Sequence, residues 1–127
     1  MMTPQQLVAE ARAKIREVAP VEAAQLMREG VPCLDVRETG EHEIECLRDA
    51  INIPRGVLEF RIGEHPGLAD KSRMLLIYCK TGGRSALAAL NLQRLGYSNV
   101  MSIAGGIEAW RNQALPMHSD DNRYGSE

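Results

Sequence analysis

Apolar positions along the chain fall into two rhythms. Near the start, Leu7, Val8, Ala11 and Ile15 recur at helical spacing. Thr3 is placed to cap, Pro4 suits the first helical position, and Gln6 completes a capping box, so a helix is predicted from Pro4 to Ile15. Val18 and Ala19 read as a short edge strand. A second helix is expected over Val21–Glu29, with Leu26 and Met27 inward and Gly30 as its stop. The rhythm then changes. "VPCLDV" (Val31–Val36), "AINIP" (Ala50–Pro54), "RMLLIYC" (Arg73–Cys79) and "NVMSI" (Asn99–Ile103) are short apolar runs that read as strands. The polar stretch after Val36 is expected to hold a helical segment near Glu41–Cys46, and another short helix is expected around Val57–Ile62. Arg84 to Leu95 carries Ala88, Leu92 and Leu95 on one stripe and meets Gly96, the pattern of a helix and its stop. A last short helix is expected to end near Gln113.

Strands that alternate with helices predict an α/β domain with a mostly parallel sheet. Arg73–Cys79 is apolar throughout, as expected of a strand covered on both faces. The length of 127 residues suits one domain. The organisation expected is an N-terminal helical extension (residues 1–17), a domain over residues 18–116, and a polar, mobile tail over residues 117–127. Aromatic residues are only 4% of the chain, so the core rests on Leu, Ile, Val, Ala and Met. A net charge of −2 argues against a broad nucleic-acid surface. No apolar run approaches the ~20 residues of a membrane span, and the first residues lack the basic head and apolar block of a secretory signal. Three cysteines, Cys33, Cys46 and Cys79, form no C-x-x-C pair, which disfavours a disulfide framework or a standard zinc site. A reducing, cytoplasmic setting fits this usage.

The chemistry concentrates in "YCKTGGRSALAAL" (Tyr78–Leu90). Ligands of parallel sheets bind at the carboxyl ends of strands, and Cys79 ends the clearest one. Lys80-Thr81-Gly82-Gly83 must curl before the helix begins. Glycines let successive N–H groups turn inward as an anion nest, and the helix N-terminus adds unpaired donors. Lys80 and Arg84 add charge. The cysteine sulfur can itself be the anion held there, because thiolates are favoured at helix N-termini and beside cations. The blander alternative is a buried, merely apolar cysteine; the glycines and basic residues argue for the reactive one.

Four residues separate Cys79 from Arg84. In this spacing "CKTGGRS" resembles the active-site loop of the rhodanese (sulfurtransferase) family; the related tyrosine and dual-specificity phosphatases have a longer loop. "LDVRE" (Leu34–Glu38), "AINIPRGVLEF" (Ala50–Phe60) and "GYSNVMSIAGGIEAW" (Gly96–Trp110) resemble that family's other motifs, in its order. The resemblance implies a three-layer α/β/α domain with a five-stranded sheet. It implies transfer of sulfane sulfur from a donor such as thiosulfate to cyanide or a thiol, through a Cys79 persulfide. Neither cofactor nor metal is implied. Partners would be a small-molecule donor and acceptor, or a protein acceptor, with no nucleic acid and no membrane; monomer and homodimer both stay open. A non-enzymatic sulfur carrier, with the first helix as its docking element, is the rival reading, and a phosphatase or arsenate reductase a weaker one.

Backbone N–H groups of Lys80, Thr81, Gly82, Gly83, Arg84 and Ser85 are then expected to stabilise the sulfur anion. Lys80 is expected to meet an anionic donor, and Arg84 to bind the donor's oxygens or to brace the loop on a carboxylate. Asp35 and Arg37 read as a structural ion pair, Cys33 and Trp110 as core, and Arg55 as a solvated side chain. His42, His65 and His118 sit in no catalytic context. Where the family commonly has "GHIPGA", this chain has "ECLRDA" (Glu45–Ala50), which puts Cys46 at a histidine position and Asp49 at a glycine. Cys46 is weighed as a resolving thiol, and His42 with Cys46 as metal ligands; the structural reading is preferred for both.

Overall fold

The structure is a computed structural model, and it describes residues 1–119. Helices α1 (Pro4–Lys14), α2 (Pro20–Arg28), α3 (Thr39–Ile44), α4 (Leu58–Arg61), α5 (Gly83–Arg94) and α6 (Gly106–Asn112) alternate with strands. Strands β1 (Arg16–Val18), β2 (Cys33–Asp35), β4 (Ile51–Asn52), β5 (Leu75–Tyr78) and β6 (Val100–Ile103) form one sheet in the order β1-β6-β5-β2-β4. Every pairing in it is parallel. Strands β3 (Glu45–Leu47) and β7 (Met117–Ser119) form a separate antiparallel pair.

Alternation along the strands sends side chains into two cores. Leu34, Leu75 and Ile77 point to the side where Ala88, Ala89 and Leu92 of α5 and Leu58 of α4 close the layer. Cys33, Leu76, Tyr78 and Met101 point to the other side, against Ala23 and Ala24 of α2 and Ile107 and Trp110 of α6. The result is a three-layer α/β/α domain. β5 lies in the middle, buried at every position, as its unbroken apolar run required. Helix α1 starts as expected: the Gln6 amide donates to Thr3 Oγ1 at 3.1 Å, and the Thr3 amide donates to the Gln6 side chain at 2.8 Å. It packs along α5.

Two readings change. The helical segment near Glu41–Cys46 stops at Ile44, and Glu45–Leu47 is strand. Its partner, Met117–Ser119, falls where a mobile tail was expected; residues 120–127 of that tail lie outside the described residues. A strand held by a partner so far away in sequence leaves no local periodicity to read. Asp49, at the position where a glycine is usual, adopts φ +63°. Aspartate is among the few residues that visit this region routinely.

Candidate active site

The Cys79 loop is built from both ends. β5 delivers Cys79 to the carboxyl edge of the sheet, and α5 starts four residues later at Gly83. Gly82 adopts φ +108°, which turns its N–H back toward the cysteine. That N–H donates to Cys79 Sγ at 3.1 Å, and the Ser85 N–H, in the first turn of α5, donates at 3.3 Å. The sulfur therefore sits at the open N-terminal end of α5, where backbone donors and the helix dipole favour negative charge. Cys79 is 1% exposed, so the sulfur forms the floor of the loop.

Ser85 fixes this floor. Its hydroxyl lies 3.5 Å from Cys79 Sγ, donates to the Gly82 carbonyl at 3.2 Å, and pairs with the Ser102 hydroxyl at 2.8 Å. Both serines are fully buried. Ser102, on neighbouring β6, was not singled out from sequence; a hydroxyl in the middle of a short apolar strand was the available signal.

The turn between β6 and α6 supports the loop from outside. The Ile107 N–H donates to the Cys79 carbonyl at 2.9 Å, and the Glu108 N–H to the Lys80 carbonyl at 3.1 Å. Gly105 and Gly106 permit this approach, with φ of +75° and +63°. The second motif glycine pair thus braces the first through the main chain.

The loop side chains divide by role. Arg84 pairs with a carboxylate: its two terminal nitrogens meet the two carboxylate oxygens of Glu41 at 2.8 and 3.1 Å. This hydrogen bonding to Arg84 holds the Glu41 carboxyl far below its usual range, at about 2. The Glu38 N–H, at 2.9 Å, adds to the effect. Glu41 was not named from sequence as the carboxylate in question. Lys80 is largely exposed and lies 3.8 Å from Glu108, a loose pair at the mouth. Thr81 is exposed, and Gly83 opens α5.

Behind the loop, a buried polar network ties the strand ends together. Arg37 donates to both oxygens of Asp35, at 3.0 and 2.8 Å, and to the Glu45 carbonyl at 2.8 Å. Tyr78 donates to Asp35 Oδ2 at 2.9 Å and accepts from the Leu47 N–H at 3.1 Å. Burial, and the Asp35 charge after it, push the Tyr78 phenol upward, so it stays a neutral donor. His42 Nδ1 lies 2.8 Å from the same Asp35 oxygen. The Asp35–Arg37 pair is thus structural, as expected, and anchors α3, which carries Glu41.

Three other residues weighed from the sequence have surroundings of their own. Cys33 lies in the core on the opposite face of the sheet from Cys79, and burial pushes its thiol strongly upward. Cys46 is buried on strand β3 and lies close enough to Cys33 to add to that rise. Arg55 is partly buried and pairs with Glu59 at 3.0 Å rather than standing free in solvent. No cluster of metal-ligating side chains occurs among the described residues, nor does any helix long and apolar enough to cross a membrane.

A cysteine at the floor of a six-residue strand-to-helix loop, in a five-stranded parallel α/β/α domain, defines a recognisable class. The sequence matches the family model described as Rhodanese-like domain over residues 19–113, and the chain belongs to the rhodanese-like family. It is 35% identical over 89 residues to a sulfurtransferase of Allochromatium vinosum, covering 70% of this chain and 79% of that one. It is 29% identical over 97 residues to the thiosulfate sulfurtransferase GlpE of Coxiella burnetii, covering 76% and 87%. Among solved structures, a Rhodopseudomonas palustris protein of unknown function, described as a possible tyrosine phosphatase, superposes with TM-score 0.81 at 28% identity. That match covers 93% of this chain and 96% of the other. The polysulfide-sulfur transferase homodimer of Wolinella succinogenes shares the fold, with TM-score 0.77 at 24% identity, over 92% and 88%.

Proposed function

We propose that this protein moves sulfane sulfur through a persulfide on Cys79. In the first half-reaction the Cys79 thiolate attacks the outer sulfur of a donor such as thiosulfate. A new S–S bond forms, the donor's S–S bond breaks, and sulfite leaves with the electron pair. In the second, cyanide or a thiol attacks the outer sulfur of the persulfide and returns the electron pair to Cys79. The nucleophile enters as a thiolate and sulfite leaves without needing a proton, so the reaction calls for neither a general base nor a general acid. The observation that carries the reading is the pair of N–H groups, from Gly82 and Ser85, aimed at Cys79 Sγ. Such preorganised donors stabilise the thiolate as nucleophile and again as leaving group.

Lys80 is the residue assigned to draw an anionic donor to the mouth. Arg84 acts on the chemistry through loop shape, because Glu41 already occupies both of its terminal nitrogens. A reducing cytoplasm suits a working thiol of this kind.

The test is intact mass spectrometry after incubation with thiosulfate. The expected result is a gain of one sulfur atom, reversed by cyanide and absent in Cys79→Ser. No adduct on reduced, accessible Cys79 would refute the proposal. Turnover of an aryl phosphate that disappears in Cys79→Ser would replace it with the phosphatase reading.

A further inference from the structure

Helix α1 lies before the matched family region, yet it touches the Cys79 loop. Between them runs a groove of about 490 Å³, lined on the helix side by Gln5, Val8, Ala9 and Arg12 and on the loop side by Thr81 and Gly83. The volume is that of a small-molecule site. Val8 and Ala9 give the lining apolar side chains, and Gln5, Arg12 and Thr81 give it polar ones. The Gln5 amide and the Thr81 hydroxyl make no hydrogen bond among the described residues, so both are open to a ligand.

The charge in this groove comes from α1. Arg84 is committed to Glu41, and Lys80 leans toward Glu108. Arg12 is held through Nε by Glu17 at 3.4 Å. Its Nη2 reaches to 3.0 Å from the position a Cβ on Gly82 would take. Gly82 is the residue whose N–H holds the Cys79 sulfur. A cation thus stands at the wall of the nucleophile's own loop, beside an open, partly apolar groove.

We propose that this groove is an acceptor subsite, in which Arg12 selects small organic thiols that carry a carboxylate. This rests on the sulfur-transfer reading. The carboxylate pairs with the Arg12 guanidinium, the organic body lies over Val8 and Ala9, and the thiol passes Thr81 to the loop mouth. Its thiolate attacks the outer sulfur of the Cys79 persulfide. A new S–S bond forms, the bond to Cys79 breaks, and the electron pair returns to Cys79. The acceptor leaves as a persulfide anion, its outer sulfur keeping the negative charge it carried on Cys79, so charge and electrons balance and no oxidant or reductant is needed.

The test compares glutathione, which carries carboxylates, with cyanide, which has no body to fill the groove, using the full chain and thiosulfate as donor. In Arg12→Gln the ratio of kcat/KM for glutathione to that for cyanide is expected to fall about tenfold, the range of one charge-assisted hydrogen bond. Arg12→Lys is expected to restore part of it. An unchanged ratio, or an equal loss with both acceptors, would overturn the assignment, since a merely structural role slows both alike. Binding of unreactive S-methylglutathione, followed by calorimetry, needs no sulfur transfer. Binding by the wild type that Arg12→Gln abolishes supports the groove even if Cys79 never takes up sulfur, whereas absence of binding by the wild type overturns it.

Discussion

The tightest contact around the nucleophile loop involves no side chain, and Gly106→Ala probes it directly. A Cβ at Gly106 would stand 2.4 Å from the Lys80 carbonyl oxygen and 2.5 Å from that of Cys79. Backbone atoms cannot step aside as a flexible side chain can. The φ of +63° at this position adds about 1–2 kcal/mol for any L-residue with a Cβ. Relieving the clash requires the β6–α6 turn to retreat, which loosens two hydrogen bonds, from Ile107 to Cys79 and from Glu108 to Lys80. Each is worth about 1 kcal/mol. The expected loss of stability is therefore about 3–4 kcal/mol, read by urea denaturation with linear extrapolation. On the proposed function, sulfur loading of Cys79 should fall in the same variant under conditions where it remains folded, because the displaced carbonyl belongs to Cys79 itself. Gly40→Ala is the control. Gly40 lies in α3, nothing stands within 4 Å of its added Cβ, and its φ is not positive. That change should stabilise by about 0.5–1 kcal/mol. A loss below about 1 kcal/mol for Gly106→Ala would refute the reasoning.

Ala114→Gly should stabilise the fold by about 1 kcal/mol in thermal or urea unfolding. Ala114 has φ +55° just past α6, and its N–H and that of Leu115 close the helix end on the Arg111 and Trp110 carbonyls, as Gly96 and Tyr97 do for α5. Glu41→Gln should lower stability at neutral pH by about 1 kcal/mol, reduced from a larger formal value because the pair is partly exposed to solvent. The sign follows from the depressed carboxyl, which moves from 4.5 unfolded to about 2 folded. Its contribution is complete above pH 4.5 and disappears as pH falls through 2, so wild type and variant should converge there in pH-dependent unfolding.

Legibility followed the range of the interactions. Helix α1 was readable from Thr3, Pro4 and Gln6 alone, because a capping box is a local device. β5 was readable because a strand buried on both faces must be apolar throughout. The Cys79 loop was readable because its glycines, its cysteine and its helix start are neighbours in sequence. Glu41 and Ser102 were not, since each meets the loop only when the sheet assembles. The β3–β7 pair was missed for the same reason: Cys46 resembles the end of a helix until His118 arrives beside it. Arg12 could not be placed beside the loop from sequence, because nothing in "VAEARAK" indicates which wall it faces.

The N–H groups that hold the Cys79 sulfur belong to Gly82 and Ser85 and are fixed by main-chain shape. Reactivity and selectivity are thereby written in different alphabets. The first is a conformation, common to any chain that folds this turn. In the proposed function the second is a set of replaceable side chains, at Lys80, Thr81 and Arg12, around an unchanged cysteine. Under the proposed function, such a site exchanges one sulfur partner for another by point substitution, without passing through an inert intermediate.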